Sequence, residues 1–240
     1  MELKDRVAIV TGAGGGLGEA VAVAFGTAGA KVVCLDARGQ EAQRVHDRIE
    51  AEGANSLGIE ADVSDALGIE AATRLALDRF GRVDVLVNNA GIDFTLPITE
   101  LTVEQWDRVL AVNLRGPFLF SKAVFPHMRA QGGGHIVNIS STAGKRAWAN
   151  AAAYHASKWG LIGLTRALGV EGRPYNIRAS LVVPGGMNTP FFDRLEVRPD
   201  PRNLQDPAHV AKLIVFLVSQ PDQSVIQEVI VTPLTETSWP

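Results

Sequence analysis

The chain has 240 residues, of which 46% are hydrophobic and 20% charged, with a net charge of −3 and one cysteine. A chain of this length buries about three quarters of its unfolded surface as one α/β domain, so neither disulfide nor structural metal is needed to hold it. Cys34 alone excludes an intrachain disulfide, the mildly acidic balance offers nucleic acid no cationic face, and no uncharged stretch approaches the ~20 residues that span a bilayer.

The start, Met1 to Arg6, is charged and lacks the apolar run of a signal peptide, so a cytoplasmic location is expected. Apolar runs of strand length then alternate with longer helical patterns. Strands are expected at Val7 to Val10, Val32 to Leu35, Leu57 to Ala61, Val85 to Val87, Ile136 to Ile139, Ile177 to Val183 and Glu228 to Val231. Several are apolar at consecutive positions, as strands covered on both faces tend to be. Between them, 17–28, 40–52, 66–80, 103–130, 153–171 and 207–219 repeat apolar residues at three and four, the helical spacing. The order predicts one α/β domain over 1–240, with a parallel sheet between two helical layers. Pro190 to Pro207, with four prolines, reads as a lid-like surface excursion. Cys34 sits in the apolar run Val32 to Leu35 and is expected to pack as a small hydrophobe.

Such a sheet binds ligands beyond the carboxyl ends of its strands, where the strand order reverses. After the first strand comes Thr11-Gly12-Ala13-Gly14-Gly15-Gly16-Leu17-Gly18, opening directly into a helical pattern. Its free backbone N–H groups and the helix N-terminus suit a pyrophosphate. The spacing is T-G-x-x-x-G-x-G rather than G-x-G-x-x-G, because Leu17 stands where the last glycine would fall. The second strand ends at Asp36, eighteen residues after Gly18, where a carboxylate accepts from ribose hydroxyls and repels a 2′-phosphate. NAD(H) is therefore favoured over NADP(H), with Arg38 the nearby cation that argues the other way. Asp62-Val63 ends the third strand. Asn88-Asn89-Ala90-Gly91 ends the fourth, its small residues letting a flat cofactor approach the backbone.

Thirteen residues beyond Ser141, at the end of the fifth strand, stands Tyr154-His155-Ala156-Ser157-Lys158. Tyr154 and Lys158, at i and i+4, share one helix face. A phenol of pKa ~10 is a poor acid/base at neutral pH, but an adjacent ammonium and an oxidised nicotinamide both favour the phenolate.

Thr11 to Gly18, Asn88 to Gly91, Asn113, Ser141, Tyr154, Lys158 and the run Pro184-Gly185-Gly186-Met187-Asn188-Thr189 resemble the short-chain dehydrogenase/reductase family over about residues 5 to 190. The resemblance implies a three-layer, doubly wound Rossmann-type fold with a seven-stranded parallel sheet. It also implies a nicotinamide dinucleotide laid across the strand ends. Gly12, Gly14, Gly15, Gly16 and Leu17 would face its phosphates, with Asp36 at the adenosine ribose and Asp62 and Val63 beside the adenine. Asn89, Ala90 and Gly91 would lie near a ribose, and Pro184, Gly185, Met187 and Thr189 near the nicotinamide. Tyr154 would exchange a proton with the substrate oxygen, Ser141 would hydrogen-bond that oxygen, Lys158 would hold the nicotinamide ribose, and Asn113 would hold a relay water. Ser141 is preferred to Ser140 because of the thirteen-residue spacing. The implied reaction passes a hydride between nicotinamide and a secondary alcohol or ketone. The nearest alternative is an NADPH-dependent 3-oxoacyl reductase; the non-enzymatic one is a dinucleotide-sensing protein.

The family usually closes on an Asp-Gly-Gly turn, whereas this chain runs Ile230 to Pro240 without one. The resemblance implies a homodimer or homotetramer with an interface on 103–130 and 153–171. Ala153, Ala156, Gly160 and Gly163 either admit a partner helix or pack within the chain. Substrate choice falls to Ile92-Asp93-Phe94, Lys145 to Asn150 with Trp148, and the excursion with Phe191 and Phe192. These aromatics either line an apolar pocket or pack the lid, and Asp93 either binds a hydroxyl or amine or caps the next helix. The five histidines lack metal-ligand spacing, and no catalytic metal is expected.

Overall fold

The structure is a computed structural model and describes residues 2–194 and 199–236. Seven strands, β1 (Val7–Thr11), β2 (Lys31–Asp36), β3 (Ser56–Glu60), β4 (Val85–Asn88), β5 (Gly134–Ile139), β6 (Ile177–Pro184) and β7 (Glu228–Val231), form one sheet in the order β3-β2-β1-β4-β5-β6-β7. Every pairing is parallel. The order reverses between β1 and β4, which opens the crevice that doubly wound sheets use for ligands.

The helices are α1 (Gly16–Thr27), α2 (Gly39–Ala51), α3 (Ala66–Phe80), α4 (Val103–Leu110), α5 (Gly116–Ala130), α6 (Ala152–Gly172) and α7 (Pro207–Val218). Alternate strand residues feed two cores, because successive side chains of a strand point to opposite faces. Ala8, Val10, Val32 and Cys34 pack with Val21, Phe25, Ile214 and Leu217 of α1 and α7. Ile9, Val33 and Leu35 pack with Ile69, Phe120 and Met128 of α3 and α5. Burial pushes the Cys34 thiol up to about 12, with the charge of Glu19 adding to it, so the cysteine is an inert core residue.

One expected element differs. The periodicity of 103–130 predicts a single helix, yet α4 and α5 are joined by a π-helical turn, Ala111–Arg115. Its wider winding turns Val112 and Asn113 inward, where both are buried. Pro117 is accommodated immediately afterwards, at the start of α5 where a missing N–H costs little.

The excursion folds back on its origin. Met187 bridges in parallel to Gln205, the Asn188 N–H donates to the Gln205 carbonyl at 2.9 Å, and the Gln205 N–H donates to the Gly186 carbonyl at 3.0 Å. Pro190–Arg194 and Pro201–Asn203 are short 3-10 turns within it; 195–198 and the tail from Thr237 to Pro240 lie outside the described residues. Among those described, no helix is long and apolar enough to cross a membrane.

Candidate active site

The glycine loop lies over the β1 end. Gly12 and Gly16 take φ of +65° and +55°, conformations that favour glycine. A side chain on Gly12 would meet the Ala90 Cα at 2.9 Å, and one on Gly14 would meet Glu41 Cβ at 2.6 Å and Asp36 Oδ2 at 2.7 Å. At Gly15 the nearest atom is Nη2 of Arg38, at 4.0 Å. The loop is thus packed from below and open above, at the start of α1. Leu17 turns away into the core.

Thr11 organises the junction with β4. Its hydroxyl donates to the Val87 carbonyl at 3.3 Å and accepts from the N–H groups of Asn89 at 3.0 Å and Ala90 at 3.1 Å. The Asn89 amide donates to the carbonyls of Thr11 at 2.9 Å and Gly12 at 3.3 Å. The Asn89 side chain therefore holds the loop through its amide nitrogen.

Asp36 is nearly buried. Its Oδ2 accepts from the Gly14 N–H at 3.0 Å, and its Oδ1 from the Arg38 N–H at 2.9 Å and Arg38 Nε at 3.3 Å. Arg44 of α2 donates to the Gly14 carbonyl at 3.0 Å while pairing with Glu19 at 2.8 Å and Glu41 at 2.9 Å. Arg108 of α4 binds the Asp62 carboxylate at 2.8 Å and the Ser64 hydroxyl at 2.7 Å. Burial raises the Asp62 pKa, but the bonds from Arg108 and Ser64 outweigh it and hold the carboxyl below the usual range. Val63 packs against the start of α5, where a Gly116 side chain would strike its carbonyl at 3.0 Å.

On the far wall, Gly185 at the end of β6, after Pro184, donates to the Val231 carbonyl at 2.8 Å. Met187 packs on the α1 and α7 core. Thr189 is buried and closes on the glycine loop, 3.2 Å from where a Gly16 side chain would begin.

Ser141 begins the short turn Thr142–Gly144, accepting from the Ala143 N–H at 3.1 Å. Its hydroxyl also hydrogen-bonds Tyr154. Ser140, by contrast, is buried and donates to the Lys158 carbonyl at 3.3 Å. Lys158 is buried, its Nζ donating to the Ile139 carbonyl at 2.8 Å and lying 5.5 Å from the centroid of the Tyr154 ring. A side chain on Gly91 would make only ordinary contact with it, beginning 3.7 Å from Nζ.

Burial lowers Lys158 to about 8. Burial also raises the Tyr154 phenol well above its ordinary value, with the Asp93 charge adding to the rise and the Ser141 bond opposing it. The balance of these effects favours the protonated phenol.

Asn113 reaches in from the π turn. Its Oδ1 accepts from the Ile92 N–H at 2.9 Å, and its Nδ2 donates to the Ile92 carbonyl at 2.9 Å and the Ser157 hydroxyl at 3.1 Å. Its amide is thus committed to protein partners. His155 faces away from the phenol, bonding the Ala143 carbonyl at 2.8 Å and accepting from the Trp148 N–H at 3.1 Å. Phe191 stacks at a tilt on Tyr154, ring centroids 5.7 Å apart, and Phe192 lies edge-on to Phe191.

The strand ends thus bring together Tyr154, Ser141, Lys158 and Asn113 at one wall of the crevice and the glycine loop with Asp36 at the other. Arg44 and Arg108 carry no motif signal, because the site groups they hold, the Gly14 carbonyl and the Asp62 carboxylate, lie 30 and 46 residues away.

A family model described as short chain dehydrogenase matches residues 6–199. The chain is 37% identical over 228 residues to trans-4-hydroxycyclohexanecarboxylate dehydrogenase of Sinomonas cyclohexanicum, covering 90% of this chain and 86% of that one. It is 38% identical over 202 residues to levodione reductase of Leifsonia aquatica, covering 83% and 76% respectively. The crystal structure of a metagenomic short-chain oxidoreductase in complex with NADP superposes with a TM-score of 0.86 at 38% identity, covering 97% of this chain and 99% of that one. With the sheet order, the crevice and these matches in agreement, the chain belongs to the short-chain dehydrogenase family, oxidoreductases that act on CH–OH groups with a nicotinamide cofactor.

Proposed function

We propose that the protein is an NAD(H)-dependent oxidoreductase of secondary alcohols and ketones in which Tyr154 is the acid/base. The observation that carries this reading is the hydrogen bond between Tyr154 and Ser141, with the Lys158 ammonium 5.5 Å from the phenol ring. The residues present fit a dinucleotide: an open glycine loop at a helix start suits a pyrophosphate, and Asp36 stands at the β2 end to accept from a ribose. When bound, the nicotinamide supplies the hydride acceptor or donor and, oxidised, the positive charge that the phenol lacks.

The remaining work falls to the chain. Ser141 donates to the substrate oxygen as charge develops there in the reducing direction. Tyr154 gives that oxygen its proton in reduction and takes it in oxidation. Lys158, anchored by the Ile139 carbonyl, holds its charge near the phenol and is placed to reach ribose hydroxyls. Asn113 fixes Ile92 rather than offering its amide to a relay water, so a relay would run through backbone carbonyls near the π turn.

NAD(H) is favoured because Asp36 is buried, bonded to Gly14 and fixed in place, which makes a 2′-phosphate unwelcome. Titration calorimetry with NADH and NADPH tests this. Tighter NADH binding by about tenfold, or about 1.4 kcal/mol, is expected. Tighter NADPH binding would mean that Arg38 outweighs Asp36, and binding of neither would sink the reading.

The proposed assembly is a homo-oligomer paired through α4, α5 and α6. Leu110, Leu114, Phe118 and Leu164 line an apolar groove there. Of the small residues on α6, Ala153 is buried and Gly160 packs on Leu114 within the chain, whereas a side chain on Gly163 would meet nothing within 4 Å.

A further inference from the structure

Asp93 follows directly on Ile92, whose N–H and carbonyl are both held by Asn113, so the main chain entering residue 93 is fixed. Its Oδ2 accepts from the Thr95 hydroxyl at 3.1 Å. Its Oδ1 is shielded from solvent and has no hydrogen-bond partner among the described residues. A carboxylate oxygen out of water without a donor is costly, and native proteins rarely keep one unless something else supplies the donor.

Local bonds from the Phe94 N–H and the Thr95 hydroxyl account for part of the carboxylate, and a helix-cap role does not account for the rest. The next helix, α4, has its own cap in Thr102, which forms a reciprocal capping box with Gln105. Asp93 makes no ion pair among the described residues with a cation of Lys or Arg. Its charge acts instead on the Tyr154 phenol, and His155 on the same helix acts on it, so the carboxylate belongs to the substrate end of the crevice.

We propose that Asp93 accepts a hydrogen bond from a second hydroxyl of the substrate, which makes the substrate class a neutral diol or polyol. The inference rests on the reading of Tyr154 as acid/base. A single orphan acceptor matches one O–H donor. An ammonium would bring three donors to one unmatched acceptor, leaving two of them to find other partners. A hydroxy acid would set its own carboxylate against that of Asp93. In the reaction the carbinol C–H departs as hydride to the oxidised nicotinamide and the carbinol proton passes to Tyr154. The second hydroxyl is chemically unchanged and donates to Asp93 Oδ1 throughout.

The test compares kcat/KM with NAD on matched pairs: vicinal cyclohexanediols against cyclohexanol, and vicinal butanediol against secondary butanol. The intact protein is expected to prefer the diol of at least one pair by about tenfold or more. Asp93→Ala should bring that ratio close to unity by losing more activity on the diol than on the mono-alcohol. Asp93→Asn, which keeps the shape and the Thr95 neighbour, should lower it in the same direction and guards against a misfolded alanine variant. Turnover of mono-alcohols without any diol preference, or a preference unmoved in both variants, overturns the inference and leaves the acid/base reading standing. Turnover of no alcohol with either coenzyme overturns both.

Discussion

Asn113 grips Ile92 at two points, accepting from its N–H and donating to its carbonyl, both at 2.9 Å. A regular helix through 103–130 would not present an asparagine to that strand end; the π turn does. The grip ties the end of β4 to α6 as well, through the Ser157 hydroxyl. Asn113→Ala removes these bonds and leaves partly buried backbone groups unmatched, at a cost of about 1–3 kcal/mol each at most. A lowered urea midpoint together with a fall in kcat/KM is expected. Kinetics unchanged in a destabilised variant would reduce Asn113 to a packing residue.

Tyr154→Phe removes the hydroxyl proposed to carry the proton, and with it the bond to Ser141. Turnover should fall by about a hundredfold or more while NADH binding stays nearly intact. Ser141→Ala removes the proposed second donor to the substrate oxygen, and a kcat loss of about a hundredfold is expected. Because burial holds the phenol up, alcohol oxidation, which needs the phenolate, should quicken with rising pH through neutrality. Asp93→Asn, by removing a negative charge that raises the phenol further, should move that rise toward lower pH. A pH–rate profile on a mono-alcohol reads both effects; a flat one contradicts the assignment of Tyr154.

Asp36→Ala takes away the acceptor of the Gly14 N–H as well as the charge. The NADH-to-NADPH affinity ratio should drop by about tenfold. Calorimetry of the variant beside the intact protein decides it, and an unaltered ratio would remove Asp36 from coenzyme choice.

His135 offers a prediction about stability. It is buried at the start of β5, its Nε2 paired with the Ser180 hydroxyl at 2.8 Å, and burial, then Arg178, then Arg6 lower its pKa to about 3. The unfolded chain, with an ordinary value of 6.5, takes up the proton first as the pH falls. The neutral ring's contribution is therefore whole above pH 6.5 and is lost toward pH 3, at about 1.4 kcal/mol per pH unit. Urea unfolding across that window should show the decline, and His135→Leu should make it shallower.

The sheet was readable because strands buried on both faces leave uninterrupted apolar runs, and each expected strand matches an observed one to within about two residues. The glycine loop, Asp36, Ser141, Tyr154 and Lys158 were legible for a related reason: they occupy strand ends or a single helical face, positions that local spacing defines. The π turn left no trace in the apolar periodicity, since Leu110, Val112 and Leu114 suit either winding. The partners of Arg44, Arg108 and Asn89 are set by which strands lie side by side, a relation that spacing along the chain does not carry. The shared face of Tyr154 and Lys158 follows from local spacing, whereas the burial that raises the phenol is a product of tertiary packing and leaves no local signal.

Thr11 spends one hydroxyl on three neighbours, Val87, Asn89 and Ala90, at the seam between β1 and β4. Valine has nearly the same volume and branching and would be tolerated by most core positions. Here it would strand two N–H groups and a carbonyl in one step, while serine would keep all three contacts and lose only a methyl group. The position thus reverses the usual order of exchangeability among β-branched residues. Thr11→Ser is expected to be tolerated better than Thr11→Val, although valine is the better strand former.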